Sequence, residues 1–277
     1  MRTDLVTNIR AELTKQRKRP AHWLLLAVAV LLTLTFAYLI PYLGLADTPE
    51  GVTNGRGIGA LLPPAFVGNV IAGTPLFVGA LAVIFGVLVA GSEYNWESWK
   101  TVLAQGPSRL TVLGAKMAVL VLGTLVLLGT LLAAGAAASA LVGVLKDQPL
   151  DWPSVSAILL GAGGGWLITT MWAMLGVVLA IGFRGVALPI GLGLVWLLAV
   201  QNLLAVVAAP LLDWVADLQL GLPGPNAGSL VAALGAPPGT PGVDALTAAP
   251  QATLVIAAYL IGFAVLGAWL FRRRDIA

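Results

Sequence analysis

The sequence predicts an all-α integral membrane protein with six transmembrane helices and with both termini in the cytoplasm. Hydrophobic residues make up 59% of the 277 residues and charged residues only 10%, whereas a soluble domain carries about 25% charged residues. The apolar runs reach the roughly 20 residues that a helix needs to cross a bilayer, and they lack the alternation of barrel strands. We therefore expect a multi-pass protein of the cell (cytoplasmic) membrane.

The first segment, residues 3–19, reads as a cytoplasmic amphipathic helix with Leu5, Ile9 and Leu13 on one stripe. Pro20 ends it. Each positive charge near an anionic bilayer is worth about 1 kcal/mol. We expect its basic end to anchor the chain to lipid headgroups through Lys15, Arg17, Lys18 and Arg19.

The rest of the chain reads as one transmembrane domain, with an extracytoplasmic region at about 213–250. The first apolar run could instead be a cleaved signal peptide, since residues 43–47 resemble a cleavage site. Its length, however, exceeds the roughly 7–15 residues of a typical signal core. The predicted spans lie at about 23–46, 64–90, 111–145, 154–181, 186–212 and 251–271.

The orientation follows from the lysines and arginines. In a six-span arrangement thirteen of the fifteen fall on one side, and only Arg56 and Lys146 fall on the other. Such an excess marks the cytoplasmic side. Lys116 lies one turn inside the third span, where we expect its side chain to extend back to the interface.

A polar segment at 91–110 separates the second and third spans on the cytoplasmic side. Trp96, Trp99 and Leu103 recur at helical spacing and would form an apolar ridge. Charges at three- and four-residue steps could pair along the same helix. These charged residues are Glu93, Glu97 and Lys100. Gly106 and Pro107 end this helix, Ser108 is the expected N-cap of the next one, and Arg109 follows it. The segment is either a docking surface for a partner or an interfacial helix whose tryptophans rest among headgroups.

The sequence contains no pattern of a catalytic or metal site. A phosphate-binding loop is absent, and the glycine run 161–165 lies inside an apolar helix, where it favours close helix packing. The chain has no cysteine, and its single histidine, His22, lies at the expected membrane boundary. The predicted spans place no charge near the bilayer centre, which disfavours an ion-coupled carrier.

One polar pair, Gln201 and Asn202, falls inside the fifth predicted span. An amide in lipid needs a partner, so the pair should face another helix or a translocation pathway. Trp172 and Trp196 are bulky apolar residues that could line such a pathway or simply pack between helices.

The segment 91–110 resembles the corresponding region of ABC-2 type transporter permeases. The pattern shared with that family is carried by Glu93, Trp99, Leu103, Gly106, Pro107, Ser108, Arg109, Gly114 and Lys116. Glu97 and Ser98 depart from it, because Gly and Thr are common there. The likeness extends to the basic N-terminal helix, to LPGPNAGSL before the last span and to Phe271, Arg273, Arg274 and Asp275 at the end, and so covers the whole length.

The resemblance implies a permease subunit that forms half of the pathway of an ABC exporter. The implied partners are a separate ATP-binding subunit, a second permease copy or paralogue, and membrane lipid, with no nucleic acid. ATP and Mg would bind in the partner, and this chain would bind no cofactor and have no catalytic residue. The segment 91–110 would then contain the coupling helix. Two alternatives stay open: a membrane anchor or sensor subunit that transports nothing, and a secondary transporter.

Overall fold

The structure, a computed structural model, describes residues 5–46, 57–95, 108–208 and 210–273. These ranges consist of helices and turns, with no strand. The helices are α1 (Leu5–Lys18), α2 (Pro20–Leu34), α3 (Ile40–Ala46), α4 (Phe66–Ile71), α5 (Phe77–Asn95), α6 (Arg109–Leu145), α7 (Val155–Phe183), α8 (Ala187–Leu194), α9 (Gln201–Leu203), α10 (Asp213–Gln219), α11 (Pro223–Ala233) and α12 (Ala249–Arg273). A π-helical segment, Thr35–Leu39, joins α2 to α3.

Five helical stretches in the described ranges are long and apolar enough to cross a membrane. A sixth apolar helix, Ala187–Leu203, is shorter. The structure therefore confirms an all-helical chain with several candidate membrane spans, and the count of six stays a prediction. The five long stretches are Pro20–Gly44, Phe77–Asn95, Arg109–Leu145, Val155–Phe183 and Ala249–Arg273.

The second predicted span, 64–90, has different bounds in the structure. The chain forms the short helix α4, turns at residues 72–76, and begins α5 at Phe77. Pro75 explains the break, because proline disfavours a helical conformation in the residue before it and lacks a backbone donor. At its other end α5 continues to Asn95, five residues beyond the predicted end of the span.

The fifth predicted span, 186–212, is helical only to Ala208 and is irregular. Two π-helical segments, Val195–Val200 and Leu204–Ala208, lie on either side of α9. The following region, 213–250, contains α10 and α11. Each of these two short helices forms from a helix-like stretch within a region that is otherwise rich in glycine and proline.

The centre of the bundle is the contact between α5 and α7, which is the most extensive between any two described helices. A Cβ atom on Gly86 would overlap the carbonyl oxygen of Ala173, and one on Gly176 would overlap that of Val83. The two backbones therefore touch, which small residues permit in membrane helices. α12 packs on the α7 side of this pair, and α1 packs on α6.

The glycine run of α7 has the packing role that the sequence predicts. Side chains at Gly161 and Gly164 would overlap Val67 and Leu234, and a Cβ on Gly165 would lie 3.0 Å from Ile71. Gly163 instead faces open space, with no atom within 4 Å of a Cβ placed there.

Candidate functional site

A group of four charged side chains, three of them buried, connects three helices, and we call it the charged cluster. Its members are Glu12 and Lys15 of α1, Glu93 of α5 and Lys116 of α6. The ammonium of Lys116 lies 3.0 Å from Glu12 Oε1 and 2.9 Å from Glu93 Oε2. Lys15 forms an ion pair with Glu93 and lies 3.7 Å from Glu12 Oε2. Each carboxylate therefore has two lysine partners.

α1 contributes to the cluster because residues three or four apart share one helix face. Glu12 and Gln16 are buried, 8% and 7% exposed, and Gln16 Nε2 donates to Glu12 Oε1 at 2.8 Å. Both residues lie on the same side of the helix as the predicted apolar stripe, since Glu12 follows Leu5 by seven residues and Ile9 by three. The stripe therefore includes buried polar side chains that the amphipathic pattern did not identify.

The prediction that Lys116 extends to the interface is wrong. Its side chain is 1% exposed. Its three donors are used within the protein: besides the two carboxylates, the ammonium donates to Val89 O at 3.1 Å. A buried ammonium is stable only when it is paired and hydrogen-bonded, and here the carboxylates of α1 and α5 meet that need.

Glu93 was predicted to belong to the docking surface, and the structure corrects this. Its side chain is 1% exposed, because α5 continues through it and turns it towards α1 and α6. Arg19 Nη2 also lies 3.7 Å from Glu93 Oε1, and Arg19 Nη1 donates to Ser92 Oγ and Leu88 O. Glu93 therefore holds helices together and does not present a charge to a partner.

Two of the four predicted membrane anchors take part in these contacts. Lys15 and Arg19 form ion pairs with Glu93, although the Lys15 side chain stays 31% exposed, whereas Arg17 and Lys18 are exposed. Anchoring to headgroups stays a prediction for all four.

The pKa of Glu12 shows how burial and the neighbouring charges act in the cluster. Glu12 lies in α1, before the first candidate span. Burial acts to raise the pKa of the Glu12 carboxyl, but the positive charges of Lys116 and Lys15 outweigh it and hold that pKa below its usual range. The carboxylate is thus ionised and paired.

Both flanks of the segment 96–107 take part in these contacts. Glu93 lies just before it, and α6, which carries Lys116, begins just after it. Ser108 is confirmed as the N-cap of α6, since its Oγ accepts from the Thr111 backbone amide at 3.1 Å, and Arg109 is the first residue of α6. The other predicted docking residues lie outside the described residues: Trp96, Glu97, Trp99, Lys100 and Leu103.

The predicted pathway residues lie apart from the cluster. Trp172 is fully buried in the core beside Gly79, so in this structure it packs between helices. Trp196 is partly buried against the same core. Gln201 is 6% exposed and touches Gly224 of α11, and Asn202 Nδ2 donates to Leu198 O at 2.8 Å.

Sequence reasoning missed Glu12. Two signals could have found it: it lies three residues before Lys15, and a charge such as Lys116 inside an apolar helix needs a partner. Among the described residues no group of three or more His, Cys, Asp or Glu side chains could hold a metal ion.

Comparison with known families agrees with the architecture. The family model described as "ABC-2 family transporter protein" matches residues 8–200, which include most of α1, all members of the charged cluster and the segment between α5 and α6. No curated protein matches the chain. Because the matched region covers more than half of the sequence, the chain belongs to the ABC-2 family of transporter proteins.

Proposed function

We propose that this chain is the permease subunit of an ATP-driven ABC exporter and that the segment between α5 and α6 is its contact with a separate ATP-binding subunit. As an ABC-2 family member it is a membrane transport subunit, and the family implies an ABC ATP-binding partner. The chain would form half of a translocation pathway, with a second copy or a paralogue forming the other half. ATP and Mg would bind in the partner.

The observation that carries the coupling proposal is the charged cluster. α5 ends two residues after Glu93, and α6 begins seven residues before Lys116, so these two residues lie close to the two ends of the segment 96–107. Their side chains are paired with each other and with α1. A force on the segment would therefore act on α1, α5 and α6 together.

Breaking such a pair is costly, because removing one partner of a buried ion pair leaves an uncompensated charge, at about 3–5 kcal/mol. When the ATP-binding subunits close on nucleotide, the three helices would move as one body. Rigid-body movement of this kind switches a packed bundle between two discrete states. α5 would then carry the movement to α7 through their close backbone contact.

We further propose six crossings with both termini in the cytoplasm. The helical run from Ala187 to Ala208, counting α8, α9 and the two π-helical segments, has the roughly 20 residues that a crossing needs. This run would be the fifth span, and α12 would be the sixth. Residues 213–250 would form the extracytoplasmic region between them.

The test is copurification. Coexpression with candidate ABC ATP-binding subunits, followed by purification in mild detergent, should yield a complex with stoichiometric ATPase. A chain that purifies without any of them contradicts the proposal. An anchor or sensor subunit would also bind the ATPase, but cargo would then leave the rate of ATP hydrolysis unchanged, whereas transport-coupled hydrolysis responds to cargo.

A further inference from the structure

A pocket of about 320 Å³ with a mixed polar and apolar lining lies at the end of the bundle opposite the charged cluster. Its walls come from the turn that precedes α5, from α9, from the start of α11 and from the loop that precedes α12. The lining residues that matter here are Leu76, Gln201, Asn202, Gly224, Val243 and Asp244.

The helix that supplies Gln201 is distorted at this point. π-helical segments lie on both sides of α9, and such segments are rare and occur frequently at functional sites. Two side-chain amides bind carbonyls in these segments: Asn202 Nδ2 donates to Leu198 O, and Gln219 Nε2 donates to Leu204 O at 2.9 Å.

The third amide of this region, Gln201, lacks such a bond. Its side chain is 6% exposed, and its Nε2 has no hydrogen-bond partner among the residues that the structure describes. Gly224 makes room for it, since a Cβ there would overlap Gln201 Oε1. A buried donor without an acceptor is unfavourable, so an acceptor supplied by a ligand would complete the site.

The charge of the pocket restricts what could bind. Asp244, an exposed residue, is the only charged one among the lining residues, which include no lysine, arginine or histidine. An anionic ligand would meet repulsion there and a cation attraction. Leu76, Val243 and Leu246 add apolar wall, as is usual in small-molecule sites.

We infer that this pocket binds a small cationic amphiphile whose oxygen acceptor faces Gln201 and whose positive charge faces Asp244. The inference rests on the proposed function, because it makes the pocket a substrate site of the exporter on the side away from the ATPase. It assigns the cargo to cationic amphiphiles.

The experiment measures fluorescence anisotropy of two dyes with the purified permease in lipid nanodiscs, without any ATPase. Rhodamine 6G is a cationic amphiphile with an ester carbonyl, and 1-anilinonaphthalene-8-sulfonate is an anionic one. We expect saturable binding of rhodamine 6G, weakened about tenfold by Gln201→Leu, which removes the donor. Asp244→Asn should weaken the binding of rhodamine 6G by a similar factor. It should also reduce the preference of the permease for rhodamine 6G over the anionic dye.

Gln251→Leu is the matched control, because Gln251 is exposed on α12 and does not line the pocket. It should bind rhodamine 6G as the wild type does. Gly224→Ala is a second variant, since its methyl group displaces the Gln201 amide without changing charge, and it should also weaken binding. Each variant is compared only as a monodisperse preparation.

Wild-type affinity in both Gln201→Leu and Gly224→Ala, or tighter binding of the anionic dye, would overturn the inference. Since the assay needs no ATPase, loss of copurification with intact dye binding would contradict the coupling proposal alone. Copurification of the ATPase without specific dye binding would contradict only the inference that the pocket binds a cationic amphiphile.

Discussion

The ammonium of Lys116 lies 2.9 Å from a carboxylate oxygen of Glu93, and both side chains are 1% exposed. The two residues lie on opposite sides of the segment 96–107, so this pair closes the base of the proposed docking segment. Glu12 accepts from the same ammonium and brings the N-terminal helix into the contact.

The charged cluster should dominate the stability of this end of the bundle. Lys116→Met leaves Glu12 and Glu93 short of a buried positive charge and should lower the free energy of unfolding by about 3–5 kcal/mol. Lys18→Met, an exposed lysine on α1, should change it by less than about 0.5 kcal/mol. Thermal or denaturant unfolding of the detergent-solubilised proteins measures both. Equal stability of the two variants would refute the role given to Lys116.

Stability should also depend on pH through Glu12. Its pKa is lowered in the folded protein, so its contribution is fully present above the unfolded value, near 4.5, and is lost as the pH falls through the folded value. Glu12→Gln should therefore be less stable than the wild type at pH 7, and the difference should shrink below about pH 4.5. Melting curves from pH 7 to pH 3 check this. A difference that stays constant over the whole range contradicts it.

The docking segment can be tested at Trp99. If Trp99 is an anchor of the ATPase interface, Trp99→Ala should weaken assembly by about 2 kcal/mol or more, since interface hot spots have that size. Glu97→Ala should have a smaller effect that depends on salt. Coprecipitation of the ATPase at matched permease expression, together with the rate of ATP hydrolysis, gives the answer. If the tryptophan instead rests among headgroups, Trp99→Ala will leave binding and hydrolysis unchanged.

The six-span topology can be tested directly, because the chain has no cysteine of its own. Single cysteines at Gln148 and Asp213 should react with an impermeant maleimide added to intact cells. Cysteines at Lys18 and Arg272 should react only after permeabilisation. All four positions are exposed in the structure, so burial does not confound the labelling. Protection of the Asp213 position in intact cells would show that the helical run from Ala187 does not cross.

The contact between α5 and α7 should tolerate no side chain at Gly176. Gly176→Ala places a methyl group against the Val83 carbonyl, and we expect a loss of about 1–3 kcal/mol from overpacking. Gly163→Ala in the same helix meets open space and should be neutral or slightly stabilising. Unfolding midpoints of the two variants measure the contrast. A neutral Gly176→Ala would mean that the two backbones do not touch.

Membrane character could be predicted from the sequence because it depends on local composition. A run of about 20 apolar residues indicates a spanning helix whatever it later contacts. Capping is local too, which is why Ser108 could be identified as the start of α6. The same reasoning succeeded with the glycine run of α7, since a small residue inside an apolar helix favours close packing.

Only the tertiary structure decided how the charges pair. Lys116 and Glu12 are 104 residues apart, so no local pattern could relate them, and Glu93 has neighbours along the chain that suggest a different pairing. The contact of Gln201 with Gly224 is of the same kind, because it depends on α11 folding back against α9. Short-range rules describe each helix, whereas the burial of its polar residues is determined by which other helices cover it.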